Sequence, residues 1–166
     1  ANAVDLPIIL YNVPGRSGQA LTTETILKLA QHSGIVAVKE ASGSINIAMD
    51  LIARKPTDFD VLSGDDGLTF SMMALGGSGI ISVISNLFPD KMVQLASACL
   101  ESDWDKARKL HFDLLPLFKT AFIETNPIPI KAAMAIQGMI EENYRLPMCS
   151  PSDESRSCII EILSQY

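Results

Sequence analysis

Ile35-Val36-Ala37-Val38-Lys39-Glu40-Ala41-Ser42-Gly43 is the stretch whose reading decides the fold. Four apolar residues, three of them β-branched, run into a charged residue and a small-residue turn, which describes a short buried strand. Its neighbours on both sides repeat the plan. Upstream, Pro7 to Asn12 is a second apolar run, stopped by Asn12-Val13-Pro14-Gly15, and Thr22 or Thr23 caps a helix with Ile26, Leu27, Leu29 and Ala30 on one side, ending near Gly34.

Downstream, Ser44 is the N-cap of a helix that turns Ile45, Ala48, Leu51 and Ile52 toward a core and stops at Pro56. Phe59 to Gly64 gives a third strand. Asp65 and Asp66 favour the start of the next helix, whose apolar stripe is Leu68, Met72 and Leu75, and Gly79 to Val83 gives a fourth strand. Strands alternating with helices, without polar alternation inside the strands, imply a parallel sheet covered by helices. After Val83 the pattern is helical only, over Asp90 to Leu100, Asp103 to Ala121, Pro127 to Met139 and Ser152 to Leu163. In the longest of these, Trp104, Ala107, Leu110, Leu114 and Phe118 make one apolar face.

Composition narrows the function classes. With 48% hydrophobic and 19% charged residues in 166, the chain has a sizeable core and is not disordered. A net charge of -6 provides no cationic footprint for nucleic acid or an anionic membrane. The uncharged run Gly67 to Phe88 is long enough to span a bilayer, but Gly76-Gly77-Ser78-Gly79 breaks it in the middle, and it reads as a helix followed by a strand. No secretory signal is visible in Ala1 to Pro7. Cys99, Cys149 and Cys158 are odd in number and form no C-x-x-C pair, so they read as reduced packing residues of a cytoplasmic protein. His32 and His111 lack partners at metal-ligand spacing and are expected at the surface or the core edge.

Parallel βα folds build their sites where the chain leaves the carboxyl ends of the strands. Tyr11, Lys39 and Gly64 stand at or near three successive strand ends, 28 and 25 positions apart (39 − 11 and 64 − 39). A lone lysine in such a place commonly caps the strand and points to water. A phenol at the adjacent strand end changes that balance, because it can relay protons while an amine adds to a carbonyl. Arg16, just past the turn after Tyr11, overhangs the same mouth, where a guanidinium can hold a carboxylate with two hydrogen bonds. Glu40 is expected to point away from Lys39, by strand alternation. Ser63-Gly64-Asp65-Asp66 lacks a third metal ligand and reads as a tight turn lining the pocket. Gly76-Gly77-Ser78-Gly79 precedes a strand and so is a poor phosphate loop. Serine-hydrolase chemistry has no motif here.

Several of these words, in this order, resemble the dihydrodipicolinate synthase family: Tyr11-Asn12-Val13-Pro14-Gly15-Arg16-Ser17-Gly18, Val38-Lys39-Glu40-Ala41-Ser42-Gly43, Leu62-Ser63-Gly64-Asp65-Asp66, Gly76 to Val83, and Glu124-Thr125-Asn126-Pro127-Ile128-Pro129-Ile130-Lys131, through to Leu146-Pro147. The resemblance implies an α/β chain forming the carboxyl-terminal half of a TIM (β/α)8 barrel, with four βα units over residues 1–101 and a helical appendage over residues 102–166. It implies a class I aldolase whose Lys39 forms a Schiff base with pyruvate, Tyr11 relaying protons and Arg16 binding a carboxylate. Gly64 and Ile81 match positions lining the pyruvate pocket. The reaction so implied is condensation with L-aspartate 4-semialdehyde in lysine and diaminopimelate biosynthesis, with no cofactor or metal required. N-acetylneuraminate lyase and keto-deoxy-sugar aldolases share the lysine but typically replace the segment matching Pro14-Gly15-Arg16. The contrasting class is a non-catalytic half-barrel scaffold. Four strands where the family has eight leave two sheet edges open, so the chain is expected to pair with an amino-terminal half or with another copy of itself, the family suggesting a homotetramer.

Overall fold

The computed structural model describes residues 1–166 as one four-stranded parallel sheet and eight α-helices. The strands β1 (Ile8–Asn12), β2 (Ile35–Glu40), β3 (Asp60–Ser63) and β4 (Gly79–Ile80) lie side by side in chain order. Helices α2 (Thr23–Leu29), α3 (Ile45–Arg54) and α4 (Thr69–Ala74) form the three crossovers. A short helix, α1 (Pro14–Ser17), occupies the turn after β1, and Gly18 ends it with a φ of 72°.

Local chemistry accounts for the boundaries. Thr22 caps α2 by accepting from the Thr25 N–H, and Ser44 caps α3 by accepting from the Ile47 N–H. On one face of the sheet, the register partners Leu10, Val38 and Val61 pack with Ile26, Ala48, Leu51, Phe59 and Met72 of the covering segments. The opposite face carries Tyr11, Lys39 and Leu62, themselves register partners.

The fourth strand is shorter than the run Gly79 to Val83 suggests. The Asp66 carboxylate draws the chain out of the sheet, accepting from the Ser82 hydroxyl and, at 2.9 Å, from the Val83 N–H, and Ile84–Asn86 then form a 3-10 turn. Burial pushes the Asp66 carboxyl up from its ordinary value, against the lowering pull of the Ser82 hydroxyl.

Helices α5 (Pro89–Leu100), α6 (Trp104–Thr120), α7 (Ile128–Ile136) and α8 (Asp153–Leu163) follow. α7 is shorter than expected, because Gly138 has a φ of 71° just beyond it. A second core joins residues from both sides of position 101: Met73, Met92 and Leu95 pack with Leu114, Phe118, Ile130 and Ile159. No helix is long and apolar enough to cross a membrane. The cysteines are free, but Cys149 is exposed and so is not a packing residue.

His111 lies deeper than its expected place at the surface or core edge. It is 7% exposed, with ring centroids 5.5 Å from Phe118, 5.7 Å from Phe70 and 5.8 Å from Phe112. Its Nδ1 has no hydrogen-bond partner, and burial lowers its pKa from the ordinary 6.5. The unfolded chain therefore takes up a proton that the folded one refuses, and stability falls as pH drops through about 6.5. Urea melts at about pH 7.5 and about pH 5.5 are expected to show a larger acid-side loss for the native sequence than for a His111→Phe variant. Equal losses in the two proteins would remove His111 as the cause.

Candidate active site

The carboxyl ends of β1, β2 and β3 open into one cleft of about 310 Å³, lined by Tyr11, Arg16, Lys39, Gly64, Asp65 and Asn126 together with Val13, Ala41, Val83 and Phe122. Lys39 reaches it because strand alternation turns its side chain opposite to Val38, which is wholly buried against the helices. Its Nζ lies 4.3 Å from the centroid of the Tyr11 ring, over the face of the phenol. No carboxylate pairs with this amine, since all five ion pairs of the chain are made elsewhere. Tyr11 itself is 50% exposed on the open face of the sheet.

Arg16 enters the cleft from α1, whose Pro14 start and Gly18 end wrap the chain back over the β1 terminus. Gly64 is required by crowding: a Cβ there would lie 2.6 Å from the Ala41 Cβ and 2.9 Å from both Cγ and Cε of Lys39. The lysine stem thus rests directly on the Gly64 backbone.

Glu40 points to the other face and is buried, in agreement with strand alternation. Ile81 stands apart from the other four named residues. It follows β4, is 39% exposed and does not line the cleft, and Val83 supplies the apolar wall there. Of the two acids after Gly64, Asp65 lines the cleft and accepts from the Gly67 N–H at 2.8 Å, while Asp66 is buried behind it.

Phe122 and Asn126 also line the cleft, which local sequence patterning does not reveal. They come from the connection between α6 and α7, which crosses back over the mouth of the sheet. The only prior signal was that Asn126 sits in one of the motif words. The Oδ1 of Asn126 is itself buried and has no hydrogen-bond partner.

An unpaired amine, a phenol and a guanidinium around one cleft suit carbonyl addition followed by proton transfer. The model of the dihydrodipicolinate synthetase family matches residues 1–166. The chain belongs to that family. A 4-hydroxy-tetrahydrodipicolinate synthase from Koribacter versatilis is 50% identical over 165 residues, 99% of this chain and 55% of the relative. The crystal structure of dihydrodipicolinate synthase from Aquifex aeolicus superposes with a TM-score of 0.97 at 43% identity, covering 99% of this chain and 57% of that one. The chloride-inhibited enzyme from Acinetobacter baumannii, solved with pyruvate, superposes with a TM-score of 0.96 at 35% identity over 99% of this chain and 56% of that one. The chain therefore spans little more than half the length of these family members.

Proposed function

We propose that this chain carries the imine-forming half of a lyase that condenses pyruvate with L-aspartate 4-semialdehyde, the step that feeds lysine and diaminopimelate synthesis. The observation that carries this reading is the free Lys39 amine over the Tyr11 ring, in one cleft with Arg16. The neutral amine adds to the pyruvate carbonyl, and the carbinolamine loses water to give an imine. Tyr11 moves the protons of addition and collapse. The imine withdraws electrons, a proton leaves the methyl carbon, and the enamine attacks the aldehyde. Water then hydrolyses the product imine and returns the lysine. Neither a metal nor an organic cofactor enters this sequence of steps.

Arg16 gives a carboxylate-bearing aldehyde a bidentate partner at the cleft. This feature favours an amino-acid aldehyde over an uncharged sugar aldehyde. Gly64 leaves the space beside the imine carbon, and Ile81 adds apolar surface once the remaining strands are in place. The pyruvate bound by the Acinetobacter baumannii relative supports the first substrate.

Residues 1–101 are read as the last four βα units of a (β/α)8 barrel and residues 102–166 as the helical appendage packed on them. Open edges at β1 and β4, with Ile9, Tyr11 and Ile81 exposed beside them, support closure by an amino-terminal half or by another copy, within a homotetramer. Three free cysteines suit a reducing, cytoplasmic setting. The test is incubation with pyruvate, reduction by borohydride and peptide mass mapping. A pyruvyl adduct is expected on Lys39 alone, and an adduct on another residue overturns the assignment.

A further inference from the structure

Asn12 and Glu40 are the last register partners of β1 and β2, one residue beyond Tyr11 and Lys39. Both side chains are buried, 1% and 2% exposed, and neither lines the cleft. The Asn12 amide nitrogen donates to Glu40 Oε2 at 2.7 Å, while Asn12 Oδ1 accepts from the Leu21 N–H at 2.9 Å. The second carboxylate oxygen, Oε1, accepts from the Ser42 N–H at 2.7 Å. One amide and one carboxylate therefore tie together two strand ends and the loop that follows each.

A buried carboxylate with no cation beside it is costly, and an apolar pair would fill the same space without that penalty. Its use here is directional. After this register pair the chain leaves the sheet, and only the Ala41 N–H to Asn12 carbonyl bond still joins the two strand ends through the main chain. We propose that the Asn12–Glu40 pair is a positioning device for the imine chemistry, setting the spacing and twist of β1 and β2 where the Lys39 amine crosses the Tyr11 ring. This inference rests on the Lys39 imine reading.

The donor and acceptor pattern makes the device testable. Glu40→Gln introduces an NH2 group that must face either the Asn12 NH2 or the Ser42 N–H, both donors. Asn12→Asp sets two carboxylates against each other. Exchanging both, as Asn12→Asp with Glu40→Gln, restores every bond: the new carboxylate accepts from Leu21 and from the new amide, whose carbonyl accepts from Ser42.

The readouts are the rate of borohydride-trapped pyruvyl adduct at Lys39, kcat and KM, and the melting midpoint, all on the protein as its gene encodes it. Each single variant is expected to trap pyruvate about 10- to 100-fold more slowly, with the loss in kcat exceeding any change in pyruvate KM, as for a misplaced reacting group. The double exchange is expected to recover the trapping rate to within a few-fold. Single variants that melt early yet trap at the unsubstituted rate, or a double exchange as slow as its parents, overturn the proposal. Should the single variants not fold, the double exchange decides alone: normal trapping supports the device and slow trapping sinks it. Absence of any Lys39 adduct in the unsubstituted protein is a separate result, and it removes the imine reading itself.

Discussion

A Lys39→Arg variant is expected to form no borohydride-stable adduct with pyruvate and to lose turnover on the order of 10³-fold or more, as when a covalent nucleophile is removed. Arginine keeps a long stem and a cation over the Tyr11 ring, but its guanidinium stays protonated and has no free electron pair for a carbonyl. The fold should be little affected. Lys39 pairs with no carboxylate, so the substitution breaks no ion pair, and the melting midpoint is expected to move by only a few degrees. Turnover retained by this variant would place the chemistry on some other group.

Gly64→Ala is the second large effect, and it acts through space and not through charge. The added methyl group would meet Ala41 at 2.6 Å and the Lys39 stem at 2.9 Å. Backbone relief is opposed, because the Gly64 N–H donates to the Glu40 carbonyl at 2.7 Å and holds β3 against β2. Ala41 and the Lys39 stem must both give way, and the shifted stem carries the amine off the Tyr11 face. A displacement near 1 Å is expected to cost about 100-fold in trapping rate and in kcat, with about 1–3 kcal/mol of stability lost to overpacking. A variant that traps pyruvate at the original rate would show that the amine tolerates displacement, and would weaken the case for a preorganised site.

Much of the fold was legible because parallel strands and amphipathic helices have distinct periods. The run Ile35 to Lys39, bracketed by capping residues, admits few other readings, and the helix caps at Thr22, Ser44, Asp103 and Ser152 fall where the residue types suggest. Lys39, Tyr11 and Arg16 converge because strand ends in a parallel sheet open on one side. What escaped the sequence depends on contacts distant in the chain. β4 ends early because Asp66, sixteen positions before Ser82, captures the following turn. His111 is buried because aromatic rings from α4 and α6 close over it, which a period of 3.6 does not distinguish from the edge of a stripe.

The chain's own pattern determined a helix-covered parallel sheet, the face on which Lys39 emerges, and the family to which the motif words point. Those follow from side-chain alternation and local capping, which are short-range. Tertiary structure alone decided that Phe122 and Asn126 return from the helical region to wall the cleft, that Val83 lines it where Ile81 does not, and that Asn12 and Glu40 lock the strand ends behind the amine. These are meetings of residues far apart in the chain, from 28 positions for Asn12 and Glu40 to 115 for Tyr11 and Asn126 (40 − 12 and 126 − 11), and which groups meet depends on how elements pack, a property that no local window of residues contains.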